Sequence, residues 1–271
     1  FVESVRRRSD NPHDRDNYNL DRNTGFVGGK TMPMPDGSID VLLHAMLFTL
    51  DKTPGEAEAA SRQAIRTVLH EGQHVAMRQA GEAEPDYSGL PLGRRNLLTI
   101  ADQVIEEYRA EAGIEHNFDQ FQDLGIWNIP EVLTAWLDTL ARIACVEYQE
   151  HLDVGRLWYG IGQETHTTWK LLAYLVARIP ASSDPTAAID PDVGAHPLWQ
   201  LMVEPHWSRF AAILQAVPTG LERTSRRVID DAVEQLADEF DDWFGTLGFA
   251  LVDDGDQFAF YITDWTVLET A

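Results

Sequence analysis

Cysteine, long apolar runs and basic residues are all scarce in this chain. Cys145 is the only cysteine in 271 residues, which excludes an internal disulfide and any zinc module built from several cysteines. No apolar run approaches the roughly 20 residues that a membrane-spanning helix requires, so the sequence predicts no membrane segment. The rest of the composition, with 44% hydrophobic and 24% charged residues, is typical of a globular protein that buries a core.

Acidic residues outnumber basic residues by 44 to 21, which gives a formal net charge of −23. A surface of this sign repels a phosphate backbone, so we expect no nucleic-acid partner. The charge is uneven: 13 basic and 19 acidic residues give −6 over residues 1–118, and 8 and 25 give −17 over residues 119–271. The polar start has no signal-peptide pattern, and with a single cysteine we predict a cytoplasmic protein, although the chain begins at Phe1 and a removed leader stays open.

The first 50 residues predict an irregular arm and a hairpin. Residues 1–25 are rich in Asp, Asn and Arg and have little to bury. The Asp36-Gly37 turn before the apolar segment Ile39–Leu50 favours a β-hairpin, because Asp-Gly suits the tight turns that join antiparallel strands. A helix capped by Ser38 is the alternative, since the leucines of this segment fit both periods.

Two long helices follow. The segment Thr53-Pro54-Gly55-Glu56 is a capping box with proline at the first helical position, and it predicts a helix that continues to about Gln79. After a loop rich in glycine and proline, the apolar spacing predicts a second helix over about Leu97–Ala112, which we expect to end at Gly113.

From about residue 118 the apolar periodicity is mostly helical. We expect one helix from Pro130, a second over 164–179 and, after a loop over 180–197, two more, the last opened by a capping box at Thr219–Glu222. Residues 249–262 alternate around a central Asp-Gly and predict a β-hairpin. The predicted fold class is therefore α+β and predominantly α-helical, with a core over 1–118 that includes the arm, and a mostly helical part over 119–271.

The motif that carries chemistry is His70-Glu71-Gly72-Gln73-His74, inside the first long helix. Histidines four residues apart lie on one helical face, so both imidazoles can reach one metal ion. Two neutral nitrogens and one carboxylate suit Zn²⁺ and leave a coordination position open for water. Glu71 lies beside that face, where it can reach a water on the metal.

The second helix supplies the third ligand in this prediction. A helix antiparallel to the first can present Glu107 to the same metal, with Glu106 and Glu111 as the alternatives. One turn after Glu107, Glu111 is placed to accept a hydrogen bond from the far nitrogen of His70 or His74. A carboxylate in that position orients a ligating histidine and fixes its tautomer.

At these residues the sequence resembles the gluzincin metallopeptidases, in which an H-E-x-x-H helix is followed by a second helix that carries a ligand glutamate. In several families of that clan the second motif is E-x-x-A-D. This sequence matches it at Glu107-Tyr108-Arg109-Ala110-Glu111, with Glu in place of Asp at the last position. The match covers about residues 53–113. The resemblance implies a zincin-like metallopeptidase core with a small β-sheet, zinc ligation by His70, His74 and Glu107, Glu71 as general base, and Glu111 as the carboxylate behind a histidine. This chain is nearer to the soluble phage-repressor-cleaving peptidases than to the membrane-bound members.

The predicted function is zinc-dependent hydrolysis of a peptide or protein substrate. Glu71 would take a proton as a zinc-bound water attacks the carbonyl, and would return it to the leaving amine. Four residues are candidate donors to the oxyanion: Tyr148, His151, Tyr159 and His166. Two alternatives stay open, namely hydrolysis of a non-peptide amide at the same metal, and a regulatory or binding module whose zinc is structural or inactive. The oligomeric state has no signature in the sequence.

Overall fold

The computed structural model describes residues 1–9, 21–22, 25–26, 28–48, 53–82, 85–121, 127–255 and 257–270. The predicted α+β class is confirmed, because helices predominate and six short strands form three two-stranded antiparallel sheets in these ranges. No helix in the described ranges has the length and apolar character that a membrane crossing needs.

The chain divides into two compact units, and neither is continuous in sequence. The first comprises Phe1–Glu82, Ala110–Ile126 and Thr219–Arg223. The second comprises Ala83–Arg109, Trp127–Pro218 and Thr224–Ala271. The sequence predicts a single boundary after residue 118, whereas this division passes through one long helix, Leu92–Glu115.

The first unit begins with a short helix, which corrects the prediction of an irregular arm. Val5, on that helix, is buried against Met32 of the third strand, so the arm does have an apolar residue to bury. Residues 10–20 and 23–24 of the predicted arm lie outside the described residues. In order, the elements of this unit are α1 (Val2–Arg8), β1 (Asp21–Arg22), β2 (Gly25–Phe26), β3 (Gly29–Pro33), β4 (Ile39–Leu43), a 3₁₀ turn (Ala45–Phe48), α2 (Pro54–Gln79), the end of α3 (Leu92–Glu115) and a 3₁₀ turn (Asp119–Phe121).

The predicted hairpin is confirmed and lies against α2. Strands β3 and β4 pair from Gly29↔Leu43 to Pro33↔Ile39, and Gly37 takes a left-handed φ of 84° in the turn. The strand is shorter than its apolar segment, because the chain passes into the 3₁₀ turn after Leu43. Residues 49–52, at the end of that segment, lie outside the described residues.

Helix α2 has the predicted bounds and the predicted cap. The Thr53 hydroxyl accepts from the Glu56 amide, and the Glu56 carboxylate accepts from the Thr53 amide at 2.8 Å. These two bonds satisfy donors that the first turn of a helix leaves without intrahelical partners.

Helix α3 is longer than predicted at both ends. Its first turn is capped by Asp253, whose carboxylate accepts from the amides of Gly93 at 2.6 Å and Arg94 at 3.1 Å. A partner so distant in sequence leaves no local signal. Gly113, predicted to end the helix, lies inside it, where a β-carbon would be 2.7 Å from Oε1 of Gln73. This glycine therefore serves the close approach of α2 and α3 rather than a helix terminus.

The second unit is helical around an aromatic core. Trp169 stacks on Phe240 with ring centroids 3.7 Å apart, and Trp243 and Phe244 complete the cluster. Its elements are the start of α3, α4 (Ile129–Ala141), a π-helical segment (Arg142–Glu147), α5 (Tyr148–His151), α6 (Val154–Ala177), α7 (Pro191–Gly194), α8 (Pro197–Met202), α9 (Glu204–Gln215), α10 (Arg226–Thr246), the hairpin β5 (Phe249–Asp254) and β6 (Gln257–Ile262), and a 3₁₀ turn (Leu268–Thr270).

Three predictions for this part of the chain have clear outcomes. The terminal hairpin is confirmed, and Gly255 in its turn has a φ of 61°. The helix predicted over 164–179 begins ten residues earlier, after Asp153, whose side chain caps it. The capping box at Thr219–Glu222 is wrong as a helix start: it forms a turn, and α10 begins after Ser225.

Candidate metal centre

Two imidazoles on one face of α2 point at each other. The Nε2 atoms of His70 and His74 are 3.2 Å apart, and the ring planes are inclined by 69°. Two nitrogens bound to one tetrahedral zinc at 2.0–2.1 Å are separated by about 3.3 Å. The four-residue spacing on the helix therefore presents both Nε2 atoms as a pair of metal ligands would be presented.

Glu107 is the third group of this arrangement. One ligand atom from each of His70, His74 and Glu107 lies within 4.8 Å of the others, and the three residues are the one such group found in the described ranges. Glu107 precedes Glu111 by one turn of the uninterrupted helix α3. Two imidazole nitrogens and one carboxylate are a donor set that fits zinc, with a coordination position left over.

Glu111 occupies the far side of His70. Its Oε2 lies 3.3 Å from Nδ1 of His70, and its Oε1 accepts from the guanidinium of Arg66. A proton on Nδ1 that is donated to this carboxylate leaves the lone pair on Nε2, which is the tautomer a metal requires. Burial raises the pKa of the Glu111 carboxyl, but the hydrogen bond with His70 and the charge of Arg66 outweigh it, so the pKa lies below its usual value.

Glu71 is held by the neighbouring strand. Its Oε2 accepts from the hydroxyl of Thr31 at 2.7 Å, and its side chain is buried. A β-carbon at Gly29 would be 2.6 Å from Oε1 of Glu71. Strand β3 therefore lies so close to this carboxylate that glycine is the residue that fits at position 29. Strand β3 thus contacts the predicted general base.

No family model, curated protein or solved structure matches this chain. The assignment of the site therefore depends on the residues themselves and on the distances between them.

Two residues at this site escaped the sequence analysis. The hydroxyl of Tyr174 donates to Oε2 of Glu107, and Nζ of Lys170 lies 3.4 Å from Oε1. Both belong to α6 and are four residues apart, so they share a helical face. Lys170 and Tyr174 lie 63 and 67 residues after Glu107, so no local pattern around the motif points to them.

The predicted oxyanion donors stay predictions. Tyr148 and His151 contact each other on α5 with ring centroids 6.0 Å apart, Tyr159 is exposed on α6, and His166 lies on α6 one turn before Lys170. Tyr108, inside the E-Y-x-A-E motif, is buried, and this burial raises the pKa of its hydroxyl to about 12. The motif tyrosine is therefore a neutral core residue.

Proposed function

We propose that this protein is a zinc-dependent hydrolase of peptide bonds, and that α2, α3 and the β3–β4 hairpin form a zincin-like core. The observation that carries the proposal is the pair of Nε2 atoms 3.2 Å apart, with a buried carboxylate on the residue that follows the first histidine. A structural zinc has no use for that carboxylate, whereas hydrolysis needs a proton acceptor beside the metal.

In this proposal His70, His74 and Glu107 hold the zinc. When bound, zinc supplies a Lewis acid that polarises the substrate carbonyl and lowers the pKa of water. Glu71 accepts a proton from the attacking water and delivers it to the leaving amine, as general acid–base catalysis requires. Thr31 supports this role, because its hydroxyl fixes one carboxylate oxygen and so sets the direction of the other.

The experiment compares wild-type protein with Glu71→Gln. Both should contain about one zinc per chain by elemental analysis, because Glu71 is not a ligand in this proposal. Wild-type protein should cleave members of a proteome-derived peptide library, and Glu71→Gln should lose at least about 100-fold in rate, as expected for a general base. Glu58→Gln is the matched control, since Glu58 is exposed on the same helix and its substitution should leave the rate unchanged.

Each alternative has its own outcome in this comparison. Equal cleavage by wild type and Glu71→Gln would remove the general-base role. If the protein binds zinc and cleaves no peptide, but hydrolyses small amides in a way that depends on Glu71, it is a non-peptide amidase. Zinc without either activity would leave a structural or regulatory site.

A further inference from the structure

Helices α2 and α3 carry matching ladders of polar residues with a spacing of four. On α2 these are Arg66, His70 and His74, and on α3 they are Glu107, Glu111 and Glu115. The candidate metal centre described above uses four of the six: His70, His74, Glu107 and Glu111. Arg66 and Glu115 are left, although both are almost fully buried, with 5% of each residue exposed.

The two remaining residues continue the chain of contacts that begins at the metal ligand. Nη2 of Arg66 contacts Oε1 of Glu111 and lies 2.9 Å from Oε1 of Glu115. The opposite oxygen of Glu111 lies 3.3 Å from Nδ1 of His70. Each oxygen of the Glu111 carboxylate thus has one partner, the guanidinium on one side and the imidazole on the other.

We propose that Arg66, anchored by Glu115, is a positioning residue for the metal site: it fixes the Glu111 carboxylate against Nδ1 of His70 and so sets how well His70 ligates zinc. This inference depends on the proposed zinc site, and it adds two residues that neither the H-E-x-x-H motif nor the second-helix motif contains.

Burial explains why the contact matters for geometry. Glu111 is 1% exposed, so water cannot replace the guanidinium if Arg66 is removed. A buried carboxylate oxygen without a donor is costly, and the side chain would turn to find another one. That rotation would take Oε2 away from His70, whose ring would lose the hydrogen bond that orients it.

The contact geometry also predicts which substitution is tolerated. Glu111 and Glu115 meet the same guanidinium nitrogen, and Nε of Arg66 has no hydrogen-bond partner in the described part of the chain. A single ammonium can therefore satisfy both carboxylates, so Arg66→Lys should retain the function that Arg66→Met removes.

The test measures the zinc Kd by competition with a chromophoric chelator, with the absorption spectrum of the cobalt-loaded protein as a second readout. Arg66→Met should weaken zinc binding about tenfold, the lower end of the 10–100-fold range typical for residues behind a metal ligand. Arg66→Lys should stay within about threefold of wild type, and its cobalt spectrum should be unchanged. Arg62→Met is the matched control, because Arg62 lies one turn earlier on α2 and donates to the backbone of Gln120 instead.

A double-mutant cycle separates positioning from general destabilisation. If Arg66 acts through Glu111, then Arg66→Met should cause no further loss of zinc affinity in a Glu111→Gln protein. If Arg66→Met does not fold, as judged by circular dichroism, the double variant Arg66→Met with Glu115→Gln is used in its place. This variant removes one cation and one anion together and tests the same contact with Glu111.

The outcomes distinguish this inference from the function on which it rests. Tight zinc binding by wild type, with a folded Arg66→Met protein of the same Kd, overturns the positioning role alone. The positioning role is also overturned if the two substitutions act independently, so that the loss of zinc affinity in the double variant is the product of the losses in Arg66→Met and Glu111→Gln. A wild-type protein that binds no zinc overturns both the proposed function and the inference.

Discussion

At the scale of single residues, the site is defined by what faces each nitrogen of His70. Nδ1 faces the Glu111 carboxylate, which favours a proton on Nδ1, and Nε2 faces the Nε2 of His74 at 3.2 Å. Two imidazoles with no metal between them gain at most one hydrogen bond from this approach. A metal ion uses both lone pairs, which is why we interpret the pair as ligands.

Glu107 is the proposed ligand whose assignment is easiest to test by substitution. Glu107→Gln replaces a charged oxygen donor with a neutral one, so we expect the zinc Kd to rise by about 100-fold or more, beyond what residues behind a ligand usually cause. Glu106→Gln is the control, because it makes the same change one residue earlier on α3 and should leave the Kd within about threefold. Isothermal titration with zinc measures both, and an unchanged Kd in Glu107→Gln would exclude Glu107 as a ligand.

The residue scale also shows how far sequence reasoning reaches. The spacing of His70 and His74, and that of Glu107 and Glu111, follow from helix geometry alone, so local patterns predict them. The contact between Arg66 and Glu115 depends on the register between two helices, which no local pattern encodes. The same is true of Tyr174, which contacts Glu107 although it lies 67 residues later in the sequence.

At the scale of secondary structure, local signals succeeded where the deciding interaction was local. The capping box at Thr53 places the start of α2, and the Asp-Gly turns place both longer hairpins, because each depends on a few adjacent residues. The segment Thr219–Glu222 has Thr and Glu at the same spacing but forms a turn. The start of α3 is capped by Asp253, so its cap could not be found from the neighbouring sequence.

The junction between α10 and β5 offers a matched pair of glycines. Gly248 has a φ of 87°, and the backbone carbonyl of Asp264 occupies the place where its β-carbon would be. Gly248→Ala should therefore reduce the free energy of unfolding by about 3 kcal/mol, through strain and a clash with the backbone. Gly245→Ala should instead raise it by about 0.5–1 kcal/mol, because Gly245 is helical and has open space around it. Urea unfolding of both variants measures the difference, and equal effects would contradict this account of the junction.

The acidic end of α10 predicts a pH-dependent effect. Desolvation by the surrounding protein and the neighbouring charge of Asp242 raise the pKa of the exposed Asp241 carboxyl, and carboxylates near a helix C-terminus also oppose the helix dipole. Ionised Asp241 thus destabilises the fold at neutral pH, and this cost disappears as the pH falls through its raised folded-state pKa. Asp241→Asn should add about 0.5 kcal/mol to the unfolding free energy at pH 7, and this gain should shrink towards about pH 4.

The control for that experiment is on the same helix. Asp231→Asn makes the same change nearer the N-terminus of α10, where a negative charge is favoured, so it should give no gain at pH 7. Urea titrations of the three proteins at several pH values provide the comparison. A gain for Asp241→Asn that does not depend on pH would rule out the titration of this carboxyl as its cause.

At the scale of the whole molecule, local sequence patterns predicted the class of fold. Helical periodicity and a few turn signals were sufficient for a predominantly helical α+β protein. The two compact units draw on separated segments and divide the helix Leu92–Glu115 between them, whereas the predicted boundary after residue 118 is a single position along the sequence. Segments that are far apart in the sequence belong to the same unit because they contact each other. Local composition does not show such contacts.

Both proposals depend on one zinc ion held by His70, His74 and Glu107. Zinc K-edge X-ray absorption of the protein with one equivalent of zinc tests this assignment most directly. We predict a four-coordinate zinc with two imidazole nitrogens at about 2.0–2.1 Å and oxygen donors at about 2.0–2.2 Å, and we expect the imidazole signal to be lost in His70→Ala with His74→Ala. A zinc surrounded only by oxygen ligands, or a wild-type spectrum that the double variant reproduces, would contradict the claim.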